Sequence, residues 1–482
     1  MKQLKTRSFL IWSSVICLLL CLLTSCSRID EQASEIQQIT THSDSTSESQ
    51  YLRTTDQAKS CVERFLAEEL TLRSASGNGR RQVEDIIDLS KTEQLRAIPE
   101  LSDFADLFYI VTLRNNEGYA VVSKDTRCFP VFAVLDKDTF QIEALTDGRM
   151  QTHIENMVDG AIAEKRSFNQ LKSANALRNK GGSAESNSEN ALQEMQDDKW
   201  VVTKKTGIRT STKWGQGVKR KNFYFRKEGV PYSEAYSEEN IRLNYNNLRS
   251  SPSNADAFGC TTVAFGQVIY ALRNFPGFNT LRYTNGEKVL WEKMDFEYST
   301  RIEHQRFLGW LAANCKPTYF DEGTMVLNIN ATKFLRSKVG NYINSRYDNC
   351  VPTAGDFDGY GWSEDRRVAE DFFNHDHAFV IMTASKSALN FVSYHSYVVD
   401  GMVELHKRIN NKGFLGTGLF SKWRDGTRHL YHVNAGWSGI SNGYYLYVQN
   451  IGNKYKYTGK NGAMDYRSKT AYLILWPNQE NK

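Results

Sequence analysis

The sequence predicts an α+β fold, and three observations lead there. Apolar residues recur at helical spacing at Ala58, Val62, Phe65, Leu66 and Leu70, and helical patterns return over 150–172 and 260–272. Short β-type runs stand at 108–111, 119–123 and 131–134, and again at 394–400 and 444–448. The composition is that of a folded body: 40% apolar, 24% charged, 12% aromatic and only 8 Pro. It excludes collagen-like, mucin-like and wholly disordered chains. A length of 482 residues allows two to four domains at roughly 100–200 residues each. The net charge of +5, from 60 basic and 55 acidic residues, is too balanced to point to a nucleic-acid partner.

The N-terminus carries targeting rather than fold information. Lys2, Lys5 and Arg7 precede an apolar run over 9–23. The run is short for a spanning helix, so 1–25 reads as an export signal, with a retained membrane anchor as the alternative. Leu23-Thr24-Ser25-Cys26 ends it and resembles a bacterial lipobox. That resemblance makes Cys26 the lipidated new N-terminus and the lipid bilayer a partner. Each buried methylene of a lipid chain adds about 0.8 kcal/mol to such anchoring. The expected location is the bacterial cell envelope, at the outer membrane or cell surface. Residues 26–50, rich in Ser, Thr, Gln and Glu, then form a flexible tether.

The remaining chain divides by composition. Residues 51–172 contain a helix, the three β-type runs and a second helix, with Asn115-Asn116-Glu117-Gly118 as a hairpin turn. This is a small α+β unit without obvious chemistry. Residues 173–199 are small, polar and Gly/Ser-rich, an exposed linker of the kind proteases cut. Residues 200–482 form a larger, aromatic-rich domain. Loss of Cys17 and Cys21 with the signal, and use of Cys26 for lipid, leaves five cysteines: Cys61, Cys128, Cys260, Cys315 and Cys350. No pair has C-x-x-C spacing, and an odd count in an exported chain leaves at least one thiol unpaired.

Three local patterns in 200–482 carry chemistry. Gly259-Cys260 opens a buried helix in which Val268, Ile269 and Leu272 share a face. The positive end of a helix favours thiolate, the nucleophilic form of Cys260, and Gly259 permits a tight turn beside a substrate backbone. Taken alone, such a cysteine is more often an inert small core residue. His395 starts a β-rich run, Tyr394–Asp400, that ends at the Asp400-Gly401 turn. There an imidazole can act as general base and later as acid. Asp400 lies five residues from His395 on the opposite face of a regular strand, so it takes a turn or structural role. In the third pattern, Asn434 can orient the imidazole and Trp437 can shield that bond from water. His429-x-x-His432 lacks a third ligand at a sensible spacing, so no metal and no cofactor is expected.

His395 follows Cys260 by 135 residues and Asn434 follows by 39 more, the order and scale of papain-like thiol proteases. The segments Gly-Cys-Thr-Thr-Val-Ala-Phe-Gly-Gln-Val, His-Ser-Tyr-Val-Val-Asp-Gly and His-Val-Asn-Ala-Gly-Trp-Ser-Gly together resemble the streptopain family, a papain-like group of secreted bacterial cysteine proteases. Trp214-Gly215-Gln216-Gly217 is similar to that family's glutamine motif. The resemblance implies that Gln216 supplies the oxyanion hole beside the Cys260 N–H. Trp291-Glu292-Lys293-Met294 matches a further family landmark.

The resemblance covers about 205–475 and implies a papain-like catalytic domain over 200–482, with a helical part carrying Cys260 and an antiparallel β part carrying His395 and Asn434. It also makes 51–172 an inhibitory pro-domain and places an activation cleavage in 173–199. Partners are then protein or peptide substrates and the chain's own pro-domain. Tyr394 and Ala435 depart from the family, which has Gly before the histidine and a second Trp after the asparagine. His377-Ala378-Phe379-Val380 mimics the histidine motif, but the run after it is a buried strand. The expected function is a cysteine endopeptidase made as a lipid-anchored zymogen. The alternatives are a catalytically retired surface-binding lipoprotein on the same fold and a cysteine amidase acting on cell-wall peptides.

Overall fold

The chain divides into two compact units, Met1–Leu52 and Arg53–Lys482. The computed structural model describes residues 48–71, 81–92, 99–136, 150–179, 200–215, 258–294, 302–316, 323–348, 372–385, 394–411, 422–446 and 469–478, less a few positions, with shorter pieces between them. The export signal, Cys26 and the tether up to residue 47 lie outside the described residues, as do Gln216, Cys350 and residues 180–199. In the first unit the described element is a 3₁₀ turn over Ser49–Tyr51.

The second unit opens with α1 (Thr55–Thr71). Its start is a capping box: Thr54 Oγ1 accepts from the Gln57 N–H at 3.2 Å, and Gln57 Oε1 accepts from the Thr54 N–H at 2.8 Å. Next come β1 (Val83–Asp88), α2 (Pro99–Leu107), β2 (Phe108–Leu113), β3 (Tyr119–Ser123), β4 (Val131–Leu135) and α3 (Gln151–Asn179). The β2–β3 turn takes Asn115 and Asn116 to φ 60° and 55°, values that Asn tolerates better than most residues. Helix α3 runs on to Asn179, into the stretch whose composition reads as linker.

Strand β5 (Val201–Lys205) precedes α4 (Cys260–Ala271), α5 (Ile302–Asn314), the hairpin β6 (Thr318–Phe320) with β7 (Gly323–Met325), and α6 (Asn328–Val339). Then follow β8 (Ile343–Asp348), β9 (Phe379–Ser385), β10 (Tyr394–Asn411), β11 (Lys422–Asn434), β12 (Gly443–Tyr445), the pair β13 (Tyr457–Gly459) and β14 (Gly462–Met464), and β15 (Lys469–Pro477).

Eleven of the described strands form one sheet, in the order β1-β2-β3-β4-β12-β11-β10-β9-β15-β8, with β5 on the second half of β10. Strands from 51–172 and from 200–482 thus share a sheet, joined where Val134 pairs with Tyr444 and Leu135 with Gly443. The sequence places a turn at Asp400-Gly401; the structure instead carries β10 on to Asn411. A register shift between Val399 and Gly401 marks a bulge, which absorbs the extra residue without ending the strand.

Side chains alternate between the two faces of the sheet. Val380, Met382, Tyr397, Val399 and Ile474 enter an apolar layer built with α1, α3 and β1–β4. Phe379, Ile381, Val398, Leu473 and Leu475 enter a second layer built with α4, α5 and α6. Each such buried side chain contributes roughly 1.5–3 kcal/mol, so the central strands are held from both sides.

Candidate active site

Cys260 is the first residue of α4, and Gly259 before it adopts φ 86°, a conformation that glycine takes without a Cβ penalty. The α4 residues from Cys260 to Tyr270 are buried, so the helix is fixed by its whole surface. Burial pushes the Cys260 thiol up from its ordinary pKa, while bonds from the backbone N–H and hydroxyl groups of Ser396 and Thr261 pull it back. Those hydroxyls belong to a chain: Thr261 meets Ser396 at 2.9 Å, Ser396 meets Thr383 at 2.8 Å, and Asn328 Nδ2 donates to Thr383 at 2.9 Å. Cys61, Cys128, Cys260 and Cys315 are all buried thiols outside any disulfide.

His395 is the second residue of β10, one position from Ser396, and alternation turns it to the other face. Its Nε2–H donates to the Ala435 carbonyl at 3.2 Å. That bond leaves Nδ1 as the lone-pair nitrogen, the form a general base requires. The Trp437 ring stacks on the imidazole at 4.2 Å and 18°. Burial lowers the His395 pKa to about 4, against a smaller upward pull from the Ala435 carbonyl. Further along the same face, Tyr397 lies between His395 at 5.8 Å and His153 of α3 at 5.3 Å. His153 stacks on Tyr445 at 4.3 Å, and burial, with a repulsive contribution from His395, lowers its pKa to about 3. The thiol thus lies on the Ser396 face of β10 and the imidazole on the opposite face, and the ring nitrogen bond goes to Ala435 rather than to Cys260.

The third expected member departs from its expected job. Asn434 makes no bond to the imidazole. Its Oδ1 accepts from Gln267 Nε2 at 2.8 Å and from the Gly436 N–H at 3.3 Å. Its Nδ2 donates to the Thr212 carbonyl at 2.6 Å and to Thr210 Oγ1 at 3.1 Å. The physical reason is alternation: Val433 and Ala435 face the layer that holds Tyr397, and Asn434 between them faces α4. Gly215 forms a bridge with Trp437, which brings the segment before Gln216 to the loop that covers His395.

Asp400 takes a structural role. Its carboxylate accepts from the N–H of Thr210 at 3.0 Å, from the Thr210 hydroxyl, and from His432 Nδ1 at 2.5 Å. His432 Nε2 donates in turn to Asp136, past the end of β4, at 3.0 Å. Burial alone would lower the His432 pKa, but the Asp400 charge and bonds to both carboxylates hold it at about 10. His429 is paired with Glu404 at 3.3 Å, so both histidines of the H-x-x-H pair are occupied by carboxylates. His377 lies at a left-handed φ of 57° against Phe275, ahead of β9.

Sequence reasoning missed Gln267, Thr210, the Ala435 carbonyl and His153. Gln267 left a signal: it is a polar residue in a buried apolar helix, two turns after Cys260 and so on its face. The others depend on chain segments far apart in sequence and left none.

No family model and no curated protein matches the chain. Among solved structures, it is similar to a fragment of Prevotella intermedia prointerpain A, at a TM-score of 0.40 and 15% identity, covering 76% of this chain and 94% of that one. It is also similar to the active wild-type Prevotella intermedia interpain A cysteine protease, at a TM-score of 0.30 and 16% identity, covering 55% of this chain and 94% of that one. The roles of individual residues are therefore read from this chain's own geometry.

Proposed function

We propose that the chain is a papain-like cysteine endopeptidase made as a latent, lipid-anchored precursor. The observation that carries this reading is the pairing of two elements. A buried helix presents Cys260 at its positive end, and the strand packed on it carries His395 with Nε2 tied and Nδ1 available as base. In the active form the imidazole takes the thiol proton, and the thiolate attacks the peptide carbonyl. The oxyanion is met by the Cys260 N–H and the Gln216 amide. The imidazolium then protonates the leaving amine, and water hydrolyses the acyl-enzyme.

Latency follows from the face on which His395 lies. Residues 51–172 cover that face, and cleavage within 173–199 lets the imidazole turn toward the thiol. Cys26 carries the lipid and anchors the precursor at the cell envelope. The test uses full-length protein cleaved within 180–199. Peptide hydrolysis and labelling by a thiol-directed probe are expected, and Cys260→Ala removes both. A cleaved protein that folds but takes no label at Cys260 leaves the retired binding lipoprotein as the better reading. Cleavage of muropeptides but not of casein would favour the amidase. Loss of lipid incorporation in Cys26→Ala checks the anchor.

A further inference from the structure

We propose that His432 and Arg428 are two cationic sockets on 200–482 that take the carboxylates of Asp136 and Glu164, and that these sockets set the rate at which 51–172 leaves once the linker is cut. The inference rests on the reading of 51–172 as a detachable segment. The strand pairing alone says little about which strand belongs at this seam. Three residue pairs join β4 to β12, and β4 is apolar throughout, Val131-Phe132-Ala133-Val134-Leu135. A slip of two residues would keep every one of its side chains on the same face. The carboxylates do distinguish the registers, because a slip would carry Asp136 away from His432.

Each socket is braced on its own side of the seam. His432 donates from Nδ1 to Asp400 at 2.5 Å, within 200–482, and this leaves Nε2–H aimed across the seam at Asp136, 3.0 Å away. The ring lies between two carboxylates and so keeps its proton. Asp136 is held in turn from within 51–172, where Arg81 lies 3.6 Å from its other oxygen. The second pair repeats the plan. Glu164 of α3 accepts from the Phe129 N–H through Oε2 at 2.6 Å and presents Oε1 to Arg428 Nη2 at 3.6 Å. Both side chains are buried. The Arg428 guanidinium stands over the Trp200 ring at 5.7 Å, and Trp200 directly follows the linker. One oxygen of each acid is thus fixed within 51–172 while the other crosses the seam. Groups ordered before they meet lose little freedom on docking. Separation takes a carboxylate away from each cation, and breaking a buried charge pair acts mainly on the off-rate.

The experiment follows full-length protein cut within 180–199 by an added protease, with the loss of 51–172 timed by size exclusion. Asp136→Asn and Glu164→Gln keep the side-chain shape and leave 200–482 unaltered. Glu164→Gln, at the more deeply buried pair, is expected to speed dissociation about 10²-fold, and Asp136→Asn about 10-fold. Arg428→Gln is expected to match Glu164→Gln. The two changes together are expected to be no faster than the faster single one, because both break the same contact. Asp88→Asn is the control: it breaks the 2.5 Å pair with Lys124 inside 51–172 and should leave the rate at its wild-type value. Wild-type rates in both Asp136→Asn and Glu164→Gln, equal acceleration by Asp88→Asn, or pieces that stay together in every variant would overturn the assignment. If Arg428→Gln does not fold, the two carboxylate variants decide alone. The readout needs no catalysis. A cut wild type that sheds 51–172 but neither hydrolyses peptide nor takes the thiol label therefore defeats the peptidase reading and leaves the sockets standing.

Discussion

The two faces of β10 differ in how their polar groups are treated. On the α4 face, Ser396 joins Thr261 and Thr383 in a run of satisfied hydroxyls. On the other face, His395 and Tyr397 meet rings, and the α3 residues packed nearby include His153 and Asn156, whose side-chain nitrogens and oxygen are buried without hydrogen-bond partners. An unsatisfied buried polar group costs about 1–3 kcal/mol. Gln267 and Asn328 on the first face also keep an orphan oxygen each, so what separates the faces is the joined hydroxyl run on the first, whereas on the second both His153 nitrogens and both Asn156 side-chain polar atoms lack partners. If 51–172 is the inhibitory segment proposed above, its release uncovers the second face, where His395 and His153 lie.

The largest expected effect breaks that second face outright. Cleavage within 180–199 and release of 51–172 should raise the alkylation rate of Cys260 at neutral pH by about 10²-fold, the scale of a recruited general base. An unchanged rate would mean that α3 does not hold the imidazole away. Next comes acid. His395 and His153 have folded pKa values near 4 and 3, below the ordinary 6.5. The unfolded chain therefore binds more protons at these two sites, whose contribution to stability is lost as pH falls from about 6.5 toward 3; Asp159 of α3, raised to about 7 by burial and the nearby Glu155, contributes in the opposite sense between about 7 and 3.8. His432 takes no part in that window, because both states carry its proton below about 6.5. Denaturant unfolding across pH, compared between wild type and His153→Phe so that the Asp159 contribution cancels, checks the sign; a pH slope unchanged by the substitution would place the His153 imidazole in contact with water.

Smaller effects sharpen the comparison. At Gly443 a Cβ would sit 2.5 Å from the Val134 carbonyl oxygen, a backbone atom that cannot swing aside. Gly443→Ala should therefore weaken the β4–β12 seam by about 1–3 kcal/mol, seen as easier release of the cleaved 51–172 segment. The smallest pair of changes carries the clearest contrast. His153→Phe should stabilise the uncleaved protein by about 1 kcal/mol by removing orphan nitrogens, while Thr383→Val should destabilise it by about the same amount by removing satisfied bonds. Equal signs in the two melts would remove the distinction between the faces.

Local elements were legible in the sequence wherever their cause is local. The spacing from Ala58 to Leu70 gave α1, and the glycine before Cys260 gave the start of α4, because helix periodicity and turn chemistry act over a few residues. The joining of both segments into one sheet was not legible, since β4 and β12 lie about 300 residues apart and no short pattern records such pairing. Asp400-Gly401 reads as a turn because the same dipeptide suits a bulge. Asn434 reads as the partner of His395 because order along the chain does not report the face a strand residue takes. Counting alternation back from Ala435 would have shown it.

The seam between β4 and β12 also bears on the order of events during folding. Strands β1 to β4 pair with near neighbours, Phe108 with Ser123 and Val121 with Ala133, so they close short loops and form early. β12 has three residues and little hold on its own. In a chain made from its N-terminus, the edge of β4 stands ready long before Gly443 is synthesised. The late strands then add to a finished template, and the 51–172 segment that packs on the Tyr397 face of β10 is also the mould on which that part of the sheet sets.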